Sequence, residues 1–258
     1  MKLDDSAAMV TGGASGLGEA TARQLRQRFP DLHITLVDMN DVRGPEVAAD
    51  IHATFVHADI TSEDEVIAAV QTARRVCPLR AVVNCAGGGS SQRTIGRDGS
   101  YESAHPLALF DRVLRLNAVG TFNVIRLAAS AISTNEPDPE GARGAIVNTA
   151  SVAGLEGQIG QAAYAAGKAA IIGMTLPIAR DLAAVGVRVN TIAPGTFDTP
   201  PMRAVAPELF ASLGASVPFP KRLGAPVEFA SLAIELLTNG YINGATIRLD
   251  GAIRMAPK

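Results

Sequence analysis

The sequence predicts an α/β fold: one doubly wound domain spanning residues 1–258, with about seven parallel strands and helices on both faces. Two observations carry this. Short runs of Val, Ile, Leu and Ala alternate along the chain with amphipathic stretches, and continuous apolar strands between helices mean a parallel sheet covered on both faces. The composition also suits helices packed closely on a buried sheet, since 47% of residues are hydrophobic, only 4% are aromatic and Trp is absent.

The elements follow in order. SAAMVTGG (6–13) is a short apolar run closed by glycines and reads as the first strand. Residues 16–29 read as a helix, because Leu17, Ala20, Ala22, Leu25 and Phe29 recur broadly at helical spacing. HITLVD (33–38), ATFVHAD (53–59) and RAVVNCAG (80–87) are the next strands, with an amphipathic stretch at 63–76. Its Glu63, Asp64 and Glu65 suit the first turn of a helix, where the dipole favours negative charge. A long amphipathic stretch at about 107–133 precedes the strand GAIVNTAS (144–151). Helix 162–184, strand GVRVNTIAPG (186–195), helix 226–238 and strand ATIRLDG (245–251) complete the set. TNEPDPEGARG (134–144) is polar, holds two prolines and reads as a surface loop. Residues 88–106 and 196–225 read as irregular. Both follow the carboxyl ends of strands, where open α/β sheets bind ligands. No internal repeat or linker divides the chain.

Charge and composition exclude several classes. A net charge of -2 gives no basic excess for nucleic acid, and no polybasic segment points to an anionic membrane. Cys77 and Cys85 make neither a disulfide framework nor a metal cluster. His33, His52, His57 and His105 show no metal-ligand spacing, so no metal is expected. MKLDDSAAMVTGG has acidic residues where a signal peptide needs an apolar run, so a cytoplasmic or other reducing compartment is expected. No run approaches the roughly 18 apolar residues of a membrane span.

TGGASGLG (11–18) follows the first strand and opens the first helix. Gly12, Gly16 and Gly18 permit positive φ and close approach of backbone to a pyrophosphate. The helix terminus, with Ser15 and Leu17, offers free N–H groups and a favourable dipole. A glycine pattern alone is equally a tight turn with no ligand. Context strengthens it, because Asp38 ends the second strand 20 residues after Gly18, where an acidic residue accepts from an adenosine ribose. Its carboxylate would repel a 2′-phosphate, and neither Ser15 nor Met39 supplies a cation to hold one, which favours NAD over NADP. Asp59, with Ile60 beside it, is a candidate for the adenine side, though Asp59 could equally cap the helix that begins at SEDEV. Together these features describe a Rossmann-type dinucleotide site.

YAAGK (164–168) places Tyr164 and Lys168 on one helix face. A tyrosine near its reference pKa of about 10 is a poor base at neutral pH. A nearby ammonium favours the phenolate, and an oxidised nicotinamide would add to that. Ser151 ends the fifth strand and could hydrogen-bond the same substrate oxygen. Taken singly, Y-x-x-x-K is an ordinary solvated face and Ser151 an ordinary strand end. The information lies in the whole set, in this order.

That set resembles the short-chain dehydrogenase/reductase family along nearly the whole chain. The resemblance rests on TGGASGLG, NCAG (84–87), Asn117 in RLNAVGTF, Ser151, YAAGK and PGTFDTP (194–200). It implies that Tyr164 moves the substrate proton, Ser151 bonds the reacting oxygen and Lys168 lowers the tyrosine pKa while holding the nicotinamide ribose. It further implies that Asn117 holds a water linking Lys168 to solvent. Asn84, Ala86 and Gly87 would lie near the ribose, and Pro194, Gly195, Thr196 and Thr199 by the carboxamide or pyrophosphate. Cys85 departs from the broad family's second Asn and reads as a packed residue.

GTFNVIRLAA, VPFPKRLG and IRLDGAIRM resemble more closely the members that oxidise short-chain or 2-methyl-branched 3-hydroxyacyl-CoA esters. That subgroup also carries NCAG. The resemblance is weakest at 88–106 and 202–216, which would border the acyl and CoA groups. Gln158 and Gln161 are substrate candidates, with Gln161 bonding the thioester carbonyl. The small-molecule partner is thus an acyl-CoA or a related alcohol, such as a hydroxysteroid. The family implies a homotetramer, with 107–133 and 162–184 as interface candidates. DGAIRMAPK at the end could reach a neighbouring subunit. Loss of Tyr164 or Lys168 would favour a silent dinucleotide-binding subunit, and both are present. A methyltransferase would not need Ser151 with Y-x-x-x-K.

Overall fold

A computed structural model describes residues 1–257. Among these, seven strands form one parallel sheet in the order β3-β2-β1-β4-β5-β6-β7. They are β1 (Ala7–Thr11), β2 (His33–Asp38), β3 (Thr54–His57), β4 (Leu79–Asn84), β5 (Gly144–Thr149), β6 (Val187–Pro194) and β7 (Thr246–Leu249). The chain steps outward from β1 to β3, then crosses back to β4 on the other side of β1. Thr11 stands level with Val37 of β2 and Asn84 of β4. The carboxyl ends of these strands therefore finish together at the switch point, where a crevice opens.

Side-chain alternation divides the core into two layers. On β1, Ala8 and Val10 face one layer with Ala22 and Leu25 of α1 (Gly16–Arg28), Val47 of α2 (Arg43–Asp50) and Phe229 and Ile234 of α9 (Pro226–Thr238). Ala7 and Met9 face the other, with Val66 and Val70 of α3 (Glu63–Ala73). The small β1 residues are wholly buried, which lets helices from both sides approach the central strands. Each large aliphatic side chain so buried contributes about 1.5–3 kcal/mol.

The stretch expected at 107–133 is α4 (Leu107–Leu114), a π-turn (Arg115–Val119) and α5 (Gly120–Ile132). α6 (Ala162–Ala183) buries Ala163, Gly167, Ile171, Thr175 and Ala179, a stripe in steps of four. It also corrects the sequence reading on membrane spans, for it is long and apolar enough to cross a bilayer. That stripe and the buried Lys168 instead set it against the sheet, where Thr175 and Thr191 of β6 share a 2.6 Å hydrogen bond.

Three helices were not expected. α2 carries Gly44 and Pro45, and α7 (Pro200–Arg203) and α8 (Pro207–Ser216) lie in the stretch read as irregular. Proline reads as a breaker, yet α7 and α8 use it in the first turn, where its missing N–H costs nothing. Buried Arg188 on β6 donates to the carbonyls of Leu236, Leu237 and Ile242 at 2.6–2.9 Å, tying β6 to the carboxyl end of α9.

Candidate active site

A cleft of about 760 Å³ opens at the carboxyl ends of the strands. One half is built by the β1–α1 loop. Gly12, Ser15, Gly16, Leu17 and Gly18 all line it. Gly12 has φ +66°, and a Cβ there would sit 2.7 Å from the Ala86 nitrogen. A Cβ on Gly18 would meet the Gly12 carbonyl oxygen at 2.1 Å. The loop thus closes on itself and presents backbone to the cleft. Ser15 precedes α1, and among the described residues its side chain caps no N–H. The first-turn N–H groups, which have no intrahelical acceptor, remain available to an anion.

Asp38 is already oriented, its Oδ2 accepting from Ala14 N and its Oδ1 from Asn40 N, both at 3.0 Å. Each oxygen keeps lone-pair capacity for a further donor. Arg43, a nearby cation, is held by Glu19 at 2.9 Å and Glu46 at 3.2 Å. Asp59 and Ile60 line the same side of the cleft. Asp59 does not cap α3: Ser62 does, accepting from Glu65 N, while Asp59 Oδ1 accepts from Thr61 N at 2.8 Å. Sequence reasoning missed Asn123 here. It lies on α5, and its Nδ2 donates to the carbonyls of Ile60 (2.9 Å) and Ser62 (3.3 Å), fixing this wall from behind.

Ala86 and Gly87 line the cleft as expected. Asn84 does not. It is buried behind the wall, its Nδ2 donating to Asn148 at 2.9 Å and its Oδ1 accepting from Thr11. Both amide ends are occupied in holding β1, β4 and β5 together, so the ribose contact is corrected to a structural one. Pro194, Gly195, Thr196 and Thr199 form the facing edge after β6.

The glycine cradle, the open α1 terminus and the oriented Asp38 carboxylate make a donor and acceptor set that fits a dinucleotide. Ala14 to Leu17 would hold the phosphates and Asp38 the adenosine ribose.

The other half carries the chemistry. Ser151 follows β5 at the start of a short helical turn, its Oγ accepting from Ala153 N at 3.1 Å. That fixes the hydroxyl and leaves its proton free to donate. Tyr164 lines the cleft beside Ser151. One helical turn on, Lys168 is buried, its Nζ donating to the Thr149 carbonyl at 2.9 Å and lying 5.8 Å from the Tyr164 ring centroid.

Burial sets the proton affinities. It pushes the Tyr164 phenol up, and the neighbouring Ser151 hydroxyl offsets part of this. It pulls Lys168 down to about 8, against a weak opposing pull from Cys85. In the protein alone burial outweighs the Ser151 hydroxyl and the phenol stays raised, so the expected lowering by Lys168 is not seen. Burial also raises the Cys85 thiol to about 11, so it stays protonated and packed at neutral pH.

Asn117 is fully buried at the centre of the π-turn. Its Nδ2 donates to Val113 O (2.8 Å), standing in for a backbone bond, and to Gly88 O (2.7 Å). A Cβ on Gly87 would lie 2.9 Å from Asn117 Oδ1 and 3.2 Å from Lys168 Nζ, so both groups close on one point.

Gln161 lines the cleft. Its Oε1 accepts from Gln158 N at 3.0 Å, and among the described residues its NH2 has no partner. Gln158 is outside the cleft wall, its amide donating to Ala256 O at 2.9 Å, which removes it from the substrate candidates. Gly88 to Ser91 and Met202, from the stretches expected to border the substrate, line the cleft, and so does Met255, which the sequence gives no place there. The run Gly87–Gly89, begun by the last residue of NCAG, was the one visible local signal.

The comparisons agree with this geometry. A family model described as short chain dehydrogenase matches residues 6–209. The chain is 48% identical over 258 residues to a 3-hydroxyacyl-CoA dehydrogenase type-2 of Drosophila melanogaster, covering 99% of this chain and 100% of that one. It is 47% identical to the Homo sapiens protein of the same name, covering 97% and 95%. A crystal structure of 3-hydroxyacyl-CoA dehydrogenase type-2 from Mycobacterium avium superposes with a TM-score of 0.94 at 49% identity, over 98% of each chain. With a nicotinamide dinucleotide site at its sheet switch point, the chain belongs to the short-chain dehydrogenase family of oxidoreductases.

Proposed function

We propose that this protein oxidises the 3-hydroxyl of short-chain or 2-methyl-branched 3-hydroxyacyl-CoA esters to 3-ketoacyl-CoA, reversibly, with NAD. The observation that carries the reaction type is the meeting of Ser151, Tyr164 and Lys168 on one cleft wall, with Lys168 buried one helical turn from Tyr164. The relatives' names carry the substrate class. The oriented Asp38 carboxylate, with Arg43 already engaged by Glu19 and Glu46, supports NAD over NADP.

Bound NAD supplies the hydride acceptor. Ser151 donates to the substrate oxygen and Tyr164, acting as its phenolate, takes the hydroxyl proton, so the alcohol loses one hydride and one proton and becomes a ketone. Lys168, near pKa 8, is the next group able to accept and release that proton. Asn117 Oδ1, accepting only a long 3.4 Å contact from Gly88 N, would hold a water that passes it to solvent. Reduction reverses each step. The NH2 of Gln161 donates to the thioester carbonyl. The assembly is a homotetramer, supported by the exposed Leu107, Phe122 and Leu176 on α4, α5 and α6, and sedimentation tests it.

The test is NADH formation from 3-hydroxybutyryl-CoA, its 2-methyl analogue and a 17β-hydroxysteroid, with wild type and Tyr164→Phe. The expected result is thioester turnover reduced about a thousandfold or more by the substitution. Steroid turnover without thioester turnover would overturn the substrate class. Retained thioester turnover in Tyr164→Phe would overturn the mechanism.

A further inference from the structure

The carboxyl-terminal tail does not hang free. After β7 the chain reverses through Gly251 (φ +59°) and Ala252 (φ +66°), two successive left-handed residues. Ile253 is then buried, and its carbonyl accepts from Arg248 at 2.9 Å and from Arg254 at 2.7 Å. Two further bonds strap the tail to the loop between Ser151 and Tyr164: Gln158 Nε2 donates to Ala256 O at 2.9 Å, and Ile159 N to Pro257 O at 3.0 Å.

An ion-pair cluster closes the same seam. Arg248 pairs with Glu156 of that loop and with Asp250. Arg254 pairs with Asp250 at 3.3 Å and approaches Glu156 at 3.8 Å. Asp250 is nearly buried, and such a partly desolvated network holds better than a lone surface pair. Between these two anchorages Met255 lines the catalytic cleft.

We propose that the tail is a wall of the substrate pocket and that Met255 sets the size of the group accepted beside the reacting carbon. This rests on the dehydrogenase reading above and deepens it. Methionine is flexible and unbranched, so it tolerates small variation such as an added methyl while still filling the space a longer chain needs. Gln158 and the Glu156–Arg248 pair position the tail; Met255 meets the substrate.

The experiment compares wild type, Met255→Ala and Met255→Trp on 3-hydroxybutyryl-, 3-hydroxyhexanoyl- and 3-hydroxyoctanoyl-CoA. A parallel series uses 2-butanol, 2-hexanol and 2-octanol, which present a secondary alcohol without a thioester. The expected result is that Met255→Ala shifts the kcat/KM ratio toward the longer member by about tenfold, Met255→Trp shifts it the other way, and the KM for NAD stays constant. An unchanged ratio in both variants, or a loss equal across the series, would overturn the proposal. Oxidation of the alkanols alone would overturn the acyl-CoA reading, while the alkanol ratios still decide the role of Met255.

Discussion

The two halves of the cleft are built differently. The cofactor half is made of strand ends and one helix terminus, all within the first 87 residues apart from its facing edge after β6. Its parts are backbone N–H groups and a single oriented carboxylate. The substrate half gathers Gly88 to Ser91, the turn after Ser151, Met202 of α7 and Met255 of the tail. Strands fix the first half to within a register. Loop meetings make the second. Chemistry needing one fixed partner sits in the half built on strand ends, and the part that must match a substrate is assembled from loops, α7 and the tail.

Substitution of Asp38 probes the rigid half and carries the largest effect expected on the choice of cofactor. Asp38→Ala removes acceptors that already hold Ala14 N and Asn40 N, so it disturbs the glycine loop as well as the ribose contact. The kcat/KM for NAD should fall about a hundredfold, two charge-assisted hydrogen bonds' worth, with NADP changing far less. Steady-state kinetics with both nucleotides checks it. Equal effects on the two would mean the carboxylate does not discriminate.

Lys168 stands where the halves meet, and its depressed pKa sets both rate and stability. Oxidation needs a proton acceptor, so kcat/KM for the alcohol should rise with pH through about 8, with reduction falling over the same range. For stability, the folded pKa of about 8 lies below the unfolded value of 10.5. Below pH 8 both states hold the proton and the burial penalty is full; it shrinks as pH rises from 8 to 10.5. Lys168→Met should thus be inactive yet more stable at pH 7 by roughly 2 kcal/mol, an advantage that fades toward pH 10.5. Urea melts at pH 7 and 10 measure it, and a less stable variant at pH 7 would reverse the argument.

The smallest expected effect belongs to the adaptable half. Gln161→Ala should raise the KM for 3-hydroxybutyryl-CoA about tenfold through loss of one neutral hydrogen bond, with the KM for NAD unmoved. Unchanged acyl-CoA kinetics would remove Gln161 from the substrate contacts.

Legibility in the sequence followed the same division. Gly12, Gly18 and Asp38 work through backbone geometry and fixed spacing, which a sequence displays. All seven strands appear where short apolar runs were read, six of them closed by Gly, Asn or Asp. The residue types at Asn84 and Gln158 were visible, but their partners, Asn148 and Ala256, lie 64 and 98 positions away. The shift of Lys168 reflects burial, which spacing does not report. Met255 gave no signal, since only a chain reversal at Gly251 and Ala252 brings it to the cleft. α7 and α8 hid behind prolines that start helices as readily as they end them.

The π-turn at Arg115–Val119 has an evolutionary consequence. Such a turn holds one residue more than the regular helical path, so losing any residue there would restore an unbroken α-helix. The same loss would rotate α4 against α5 by about 100° and withdraw the Asn117 amide from Gly88. A shortened segment would thus gain a more regular helix while losing the hold that Asn117 keeps on Gly88.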